Sequence, residues 1–288
     1  MERIIIQNTN KKTRAVVLGG GGVTGMAWEI GMITALLQEG IDLADADVII
    51  GTSAGSFVGS ALASGYDMRK LYDSQFIPNT SEVNTSVNSE IMKLWTEAFQ
   101  CGKDDKKKIG KMFGDIAKKY PPKISIEKRQ SVVESRLTTT NWPSKLKVTA
   151  IDAETGDLHV FDKDSGTTLI NAVNASGAVP GLWPFVTFDE SDWIDGGMVS
   201  STNAHLADCY DKVVILSPMP QKYGLVPSVR EDVAEMQKRA NVSLIVPDKD
   251  SILAIGKNPY APTHTASSAK AGFNQGIKEV AAIYKTWS

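Results

Sequence analysis

DVIIGTSAG, residues 47–55, is the stretch that decides the fold. Asp47 to Ile50 is a short apolar run rich in β-branched residues, which is typical of a buried strand. The small residues from Ala54 to Ser64 predict a helix that Gly65 ends. The motif therefore lies where a strand turns sharply into a helix.

The same order of elements occurs upstream. Arg14 to Leu18 predicts a strand closed by glycines, and apolar residues then recur at helical spacing until Gly40. The resulting β-α-β-α order predicts a mostly parallel sheet covered by helices on both faces, which is the α/β class.

The second half of the chain continues this pattern. Strands are predicted at Lys145 to Ile151, Leu158 to Phe161, Trp193 to Ile194, Lys212 to Leu216 and Val242 to Val246, and helices at Thr168 to Asn174, Thr202 to Cys209, Val229 to Arg239 and Ser267 to Tyr284. No Pro/Ser/Gly-rich linker divides the halves. Residues 1–288 are therefore expected to form a single domain, with a polar, irregular insertion or lid at about residues 78–123.

Composition narrows the function. The chain has 288 residues, with 31 Lys and Arg against 33 Asp and Glu, so its net charge of −2 gives no global attraction to nucleic acid. Cys101 and Cys209 fit neither a redox pair nor a zinc site, and residues 1–14 lack the apolar region of a signal peptide. We expect a cytoplasmic protein that needs no metal or other cofactor and binds no nucleic acid.

One segment departs from this balance. Lys103 to Lys123 contains eight lysines and only three aspartates. Ile109, Met112, Phe113 and Ile116 place an apolar stripe on one side of a helix there, as in helices that lie on a lipid surface. The alternative is a surface helix whose apolar side packs on the body of the protein.

The first candidate site is the G-x-S-x-G motif formed by Gly51, Ser53 and Gly55. A serine on a strand-to-helix turn has a strained backbone and an exposed hydroxyl, and the glycines let strand and helix approach closely. This context predicts a nucleophile elbow. The alternative is that Ser53 only caps the helix.

The second is the glycine-rich stretch from Gly19 to Gly25 at the start of the first predicted helix. Consecutive glycines leave their backbone N–H groups unobstructed, so Gly20, Gly21 and Gly22 are predicted to form an oxyanion hole for Ser53. The alternative is a phosphate-binding loop of a nucleotide-binding or regulatory module, with Asp42 or Asp45 as the acidic residue.

The third is Asp195, followed by two glycines that allow it to approach Ser53 closely. A carboxylate is one candidate base for the serine. Histidine is the more common base, and an α/β-hydrolase order predicts a Ser53, Asp195, His264 triad, whereas His159 and His205 fall within regular elements. A turn aspartate without catalytic function is the simplest alternative.

Together these motifs resemble the patatin-like phospholipase family, which combines a glycine-rich loop, a G-x-S-x-G serine and a later D-G-G/A aspartate. ASGAVPGLWPFV at residues 175–186 is also similar to that family, although Thr24 stands where its glycine-rich loop often has arginine. The resemblance implies a three-layer α/β/α fold and hydrolysis of lipid acyl esters by a Ser53–Asp195 dyad without a metal.

The resulting prediction is a phospholipase A or lysophospholipase-like serine hydrolase. Its partner is a lipid or ester substrate, with peripheral membrane contact through the segment from Lys103 to Lys123 as a further expectation. A nucleotide-binding module, an esterase with a Ser-Asp-His triad and a lipid-binding protein that has lost catalysis remain as alternatives.

Overall fold

A computed structural model describes residues 13–288. The strands of its single eight-stranded sheet are β1 (Arg14–Leu18), β2 (Val48–Thr52), β3 (Leu146–Asp152), β4 (Leu158–Phe161), β5 (Val186–Phe188), β6 (Ser191–Asp195), β7 (Lys212–Leu216) and β8 (Asn241–Ile245). Their order is β5-β6-β3-β2-β1-β7-β8, and β4 pairs with β3 beside this path. The expectation that residues 1–14 are not a signal peptide falls on residues that, except for Thr13 and Arg14, lie outside the described part.

The centre of the sheet is parallel, as predicted. β1, β2, β3, β7 and β8 all run in the same direction, whereas β4, β5 and β6 run against their neighbours. Thr52 pairs with Thr149 in β3, and Asp195 pairs with the next residue, Ala150. The antiparallel direction of β6 therefore brings Asp195 to the end of the sheet at which β2 gives way to Ser53.

Helices cover both faces of the sheet. They are α1 (Gly22–Gln38), α2 (Ala54–Ala63), α3 (Met68–Ser74), α4 (Ser89–Gly102), α5 (Lys106–Lys119), α6 (Ile126–Arg136), α7 (Leu169–Ser176), α8 (Val229–Met236), α9 (Lys249–Ile255) and α10 (Thr265–Trp287). Alternate residues of each central strand pack on opposite sides, so Val16 joins the core under α1, α2, α7 and α10, while Val17 joins the core under α8. The predicted α/β/α arrangement is confirmed.

The stretch from Pro78 to Pro122 is more regular than the sequence suggested, because it contains α4 and α5. Asn88 and Asp105 cap these helices by accepting backbone N–H groups with their side chains. Ile109, Phe113 and Ile116 of α5 are buried in a second core cluster that includes Ile151 of β3 and Ile194 of β6. The apolar stripe thus packs on the body of the protein, which favours the surface-helix interpretation.

The lysines of α5 lie on its outer side. Lys107 forms a salt bridge with Asp157 at 2.7 Å, and Lys118 forms one with Glu154 at 2.8 Å. Across residues 13–288 no helix has the length and apolar character needed to cross a bilayer.

Candidate active site

Ser53 occupies a strained turn between β2 and α2. Its φ of 53° and ψ of −119° lie outside the regions that L-residues usually adopt, which costs on the order of 1–3 kcal/mol. Its side chain makes no capping hydrogen bond to the helix that it precedes. The helix-cap interpretation is therefore wrong, and the turn instead directs the hydroxyl away from the helix.

The glycines on either side of Ser53 are required by the packing of this turn. A Cβ on Gly51 would lie 2.5 Å from the Cα of Ser56, and one on Gly55 would lie 2.1 Å from the carbonyl oxygen of Leu18 in β1. Both distances are well below van der Waals contact. The spacing of the motif thus reflects the close approach of α2 to its own turn and to β1.

The hydroxyl of Ser53 donates a hydrogen bond to a carboxylate oxygen of Asp195, with 2.6 Å between Oγ and Oδ2. The two residues are 142 positions apart in sequence. They meet because both strands end beside the same part of β3. Thr52, the last residue of β2, pairs with Thr149, and Asp195, the last residue of β6, pairs with Ala150. A short bond between a serine and a buried carboxylate is the geometry needed for transfer of the serine proton.

The environment of Asp195 adjusts its charge. Its side chain is only 2% exposed, and this burial raises its pKa to about 7. The hydrogen bonds from Ser53 and from the Gly197 N–H at 2.7 Å, together with the positive charge of Arg129, counteract part of the rise. A carboxyl with a pKa near 7 can both accept and return a proton at neutral pH.

The carboxyl end of α7 links the serine to the aspartate. The Ser176 hydroxyl accepts the backbone N–H of Ser53 at 2.8 Å, and the Ala178 carbonyl accepts the backbone N–H of Asp195 at 3.1 Å. Between them, the Gly177 carbonyl accepts a hydrogen bond from Arg129 at 3.1 Å. Three successive residues therefore fix the relative positions of three side chains at the site.

The glycine loop lies beside Ser53, as the sequence suggested, but one of its amides is occupied. The Gly20 N–H donates to the Ser201 carbonyl at 2.7 Å, so it is not free to bind an oxyanion. Within residues 13–288 the N–H groups of Gly21 and Gly22 have no acceptor, and both residues line a cavity with Ser53. The predicted donor set of Gly20, Gly21 and Gly22 is thus reduced to its last two members.

Gly22 is the glycine of this loop that the backbone most clearly requires. Its φ is +60°, and a Cβ there would lie 2.4 Å from the carbonyl oxygen of Pro259. Thr24, at the position where arginine is common in the resembling family, donates its backbone N–H to the same carbonyl at 3.1 Å. The loop is therefore held against the segment that precedes α10.

Two cavities meet at Ser53 and differ in character. One, of about 80 Å³, includes Asp195 and is otherwise mainly apolar; its side-chain walls are Trp95, Phe99, Val179, Met198, Met219, Tyr223 and Tyr260. The other, of about 20 Å³, is lined on one side by the arginines Arg129 and Arg136. Ser53 thus lies where a mainly apolar cavity adjoins one with two arginines.

None of the three histidines lines either cavity. The Nδ1 atom of His264 lies 3.1 Å from the Ala254 carbonyl, and the ring of His159 packs edge-on against Trp193 at 4.8 Å. His205 is partly buried, and its Nδ1 has no partner in the part of the chain that the structure describes. The hydrogen-bond partner of Ser53 Oγ is Asp195, which leaves the proposed triad through His264 without geometric support.

Sequence reasoning missed two groups of residues at this site. Arg129 lies on α6, which was not predicted, and Trp95 and Phe99 lie on α4, within the stretch described as irregular. A usable signal existed for the arginine, because Arg129, Val132 and Val133 share the buried face of one helix turn. A charged residue on an apolar helix face is uncommon unless it has a partner or a function.

The comparisons with known proteins agree with the fold and the motifs. The Patatin-like phospholipase family matches residues 16–208, which is more than half of the chain. Lysophospholipase NTE1 of Kluyveromyces lactis is 47% identical over 57 residues, 20% of this chain and 4% of that protein. The corresponding protein of Saccharomyces cerevisiae is 47% identical over 57 residues, 20% of this chain and 3% of its own length.

Among solved structures, the chain shows similarity to VipD from Legionella pneumophila, at 15% identity and a TM-score of 0.48. The likeness covers 95% of this chain and 67% of VipD. The type III effector protein ExoU is 18% identical with a TM-score of 0.42, covering 93% of this chain and 53% of that one. On the extent of the family match, the chain belongs to the patatin-like phospholipase family.

Proposed function

We propose that this protein is a lipid acyl hydrolase that cleaves carboxylic esters through a Ser53–Asp195 dyad. The observation that carries this proposal is the 2.6 Å hydrogen bond between the serine hydroxyl and the buried carboxylate. The strained turn at Ser53 and the two free amides of Gly21 and Gly22 support it. Membership of the family supports a lipid rather than a small soluble ester.

In the proposed reaction, Ser53 Oγ attacks the ester carbonyl carbon while its proton passes to Asp195 Oδ2. The negative charge that develops on the carbonyl oxygen is stabilised by the N–H groups of Gly21 and Gly22 at the start of α1, each contributing about 3 kcal/mol. The departing alcohol takes the proton from Asp195, which leaves an acyl-enzyme. Asp195 then deprotonates a water that attacks this ester, and the fatty acid leaves as Ser53 regains a proton.

The aromatic cavity supports an acyl chain as the bound part of the substrate. Trp95 and Phe99 form one wall, and Phe99 stacks on Tyr223 with 5.4 Å between ring centroids. Apolar walls with few polar groups bind apolar chains by removing them from water. We infer that the acyl chain of a phospholipid or lysophospholipid lies here, with α4 as part of the lid expected at residues 78–123 of a single domain.

Labelling with a fluorescent organophosphonate, followed by peptide mapping, tests the nucleophile. We expect labelling of the peptide that contains Ser53, and none in Ser53→Ala. A nucleotide-binding module, or a lipid-binding protein without catalysis, would bind its ligand without being labelled. Retained esterase activity in Asp195→Asn, together with loss in His264→Ala, would move the protein to the triad class.

Contact with a lipid surface remains a proposal for the segment from Lys103 to Lys123. Because the apolar stripe of α5 is buried, we infer that such contact is made by exposed lysines and is electrostatic. Lys108 and Lys119 are exposed and suit this purpose. The proposal is a cytoplasmic enzyme that binds membranes peripherally through these lysines. Unchanged activity on anionic vesicles after replacement of the lysines by glutamine would reject the contact.

A further inference from the structure

The guanidinium of Arg129 is buried beside Ser53 without a carboxylate partner. Arg129 is 2% exposed. Its Nε donates to the side-chain oxygen of Asn174 at 3.0 Å and its Nη2 to the carbonyl of Gly177 at 3.1 Å, and both acceptors are neutral. Its Nη1 is buried and has no hydrogen-bond partner among residues 13–288.

This arrangement is costly for the folded protein. Burial lowers the pKa of Arg129 to about 9, which still leaves the guanidinium charged at neutral pH. The guanidinium carbon lies 4.6 Å from the centroid of the Trp183 ring, a contact that offsets only part of the desolvation. The carboxylates of Asp195 and Glu82 raise the pKa of Arg129 through space, but neither forms a salt bridge with it, and Nη1 has no acceptor among the described residues. A buried donor without a partner is costly, so the arrangement favours a ligand that offers an acceptor to this atom.

The unpartnered guanidinium lines the same narrow cavity as the nucleophile. Ser53, Gly22 and Val23 lie on its other walls. The backbone N–H group of Val23 has no acceptor in the described part of the chain, and it belongs to the first turn of α1, a helix of 17 residues. A buried guanidinium and the positive end of a helix thus attract negative charge to a single place.

The shape of the cavity limits what can reach Arg129. At about 20 Å³ it holds little more than one oxygen atom or one water. It shares Val23, Phe57 and Arg136 with a neighbouring cavity of about 590 Å³ between α1, α2, α3 and the start of α10. The wide cavity therefore adjoins the narrow one and has the room that a larger anionic group needs.

The second arginine of these walls does not compete for that anion. Arg136 forms a two-point salt bridge with Glu82, at 2.8 Å and 2.7 Å, so its charge is already neutralised. The aromatic cavity, which suits an acyl chain, adjoins the narrow cavity at Ser53, and Arg129 lines only the narrow one. The unpartnered donor of Arg129 thus lies in the cavity next to the one that suits the chain.

We propose that Arg129 binds a phosphate oxygen of a phosphoester lipid whose acyl chain occupies the adjoining aromatic cavity. The inference rests on the proposed hydrolase function and adds a preference for phosphate-bearing over neutral lipids. The charge-assisted hydrogen bond from Nη1 to the phosphate completes the coordination of the guanidinium.

The preference can be measured as a ratio. Hydrolysis of palmitoyl-lysophosphatidylcholine and of monopalmitoylglycerol, which has the same chain without phosphate, is compared in mixed micelles at pH 8, where Asp195 is mostly ionised and Arg129 is still mostly charged. In Arg129→Met we expect the ratio of the two kcat/KM values to fall about tenfold. Arg129→Lys keeps the charge and is expected to keep most of the ratio. A ratio unchanged within about twofold in Arg129→Met overturns the proposal.

A matched control separates charge from packing. The double variant Glu82→Gln/Arg136→Met removes a neutral ion pair from the same walls, and we expect it to retain the ratio even where its absolute rates fall. Thermal unfolding of each variant verifies that it is folded. An equal loss of the ratio in the control assigns the effect to packing and also overturns the proposal.

Two further readouts identify the ligand and the failing step. If inorganic phosphate inhibits hydrolysis of the neutral ester in the wild type but not in Arg129→Met, while the lipid ratio does not change, the site takes free phosphate and the lipid assignment is overturned. If the wild type hydrolyses neither lipid and Ser53 is not labelled by an organophosphonate, the proposed function itself fails. Labelling with an unchanged ratio defeats only the role of Arg129.

Discussion

Asp195 and Glu29 are both buried carboxyls near the glycine loop, yet their surroundings differ. Asp195 accepts hydrogen bonds on both oxygens, from Ser53 and from Gly197, and it feels the charge of Arg129. Glu29 is fully buried in α1 and accepts one bond, from the Gly19 N–H at 2.9 Å. Its other oxygen has no partner within the described residues.

The difference determines which of the two can act as a base. Burial raises the pKa of Glu29 well above its usual value, and the single hydrogen bond lowers it only in part. Burial therefore favours the neutral form of Glu29, whose carboxyl supports the loop through Gly19. The additional donors and the nearby cation leave Asp195 with a pKa of about 7, so its proton is exchanged at physiological pH. Equal burial thus produces a structural acid in one place and a catalytic candidate in the other.

The two carboxyls should differ most in the activity of their amide variants, Asp195→Asn and Glu29→Gln. Asp195→Asn removes the proton acceptor for Ser53, so kcat/KM for a p-nitrophenyl ester is expected to fall about a thousandfold or more. Glu29→Gln replaces a neutral carboxyl by a neutral amide of the same shape, and activity should stay within a few-fold of the wild type. A large loss in Glu29→Gln would show that Glu29 functions as an ionised group.

The variant Asp195→Asn also tests the raised pKa of Asp195 through the stability of the protein. Asp195 has a pKa raised from 3.8 to about 7 in the folded protein, so the folded state retains a proton that the unfolded chain loses above pH 4. The contribution of the protonated Asp195 to the free energy of unfolding is fully present below pH 4. As the pH rises from 4 to 7, the protein loses about 4 kcal/mol of this free energy. Asp195→Asn should therefore become more stable than the wild type across this window, measured by urea unfolding at pH 4, 6 and 8. Parallel pH profiles for both proteins would contradict the raised pKa.

The pH dependence of the rate gives a smaller, graded effect. Since Asp195 must be deprotonated to accept the proton of Ser53, the activity of the wild type should rise through pH 7 and decrease about tenfold per unit below it. In Arg129→Met the loss of a positive charge should move this limb to higher pH, whereas Arg129→Lys should leave it near the wild-type position. If the activity of the wild type began to fall only below pH 4 to 5, Asp195 would not be desolvated in solution.

The smallest effect is expected where charges are exposed. The salt bridges of Lys107 with Asp157 and of Lys118 with Glu154 lie at the surface, where solvent screens each pair and its contribution to stability is small. The double variant Lys107→Gln/Lys118→Gln should have nearly the free energy of unfolding of the wild type, and any difference should shrink in 0.5 M salt. A larger, salt-independent loss would place these lysines with the buried charges instead.

The local parts of this molecule could be read from sequence. Arg14–Leu18 and Lys212–Leu216 are strands with the predicted bounds, because a buried parallel strand is a short continuous apolar run. The elbow at Ser53 was also visible, since strand, turn and helix are neighbours along the chain. The pairing of Asp195 with Ser53 came instead from the family resemblance, because it depends on an antiparallel strand 142 residues away.

The helices between β2 and β3 were harder to predict. α3 and α6 have polar sequences, and they begin at the caps Asp67 and Ser125. α4 is amphipathic, but it follows the polar run from Pro78 to Ser89 and was grouped with it. The strand β5, of three residues, and the helix α9, of seven, are too short to show a period. Arg129 was missed with α6, although it is the largest departure from an apolar helix face.

The glycine loop shows a different limit. Gly20, Gly21 and Gly22 are indistinguishable in sequence, and only the fold reveals that the first donates to Ser201. Which amide of a loop is free depends on the carbonyls that distant segments place beside it. Sequence therefore identifies the loop, whereas the tertiary contacts select its donors.

The run Ser176, Gly177 and Ala178 has a consequence for evolution and engineering of this scaffold. Because its members hold Ser53, Arg129 and Asp195 in turn, a shift of this short run displaces nucleophile, cation and acid in concert. Substitutions at these six positions are thus energetically coupled, and their effects will not add. Substitutions that preserve the site are therefore expected to require simultaneous changes at several of these positions.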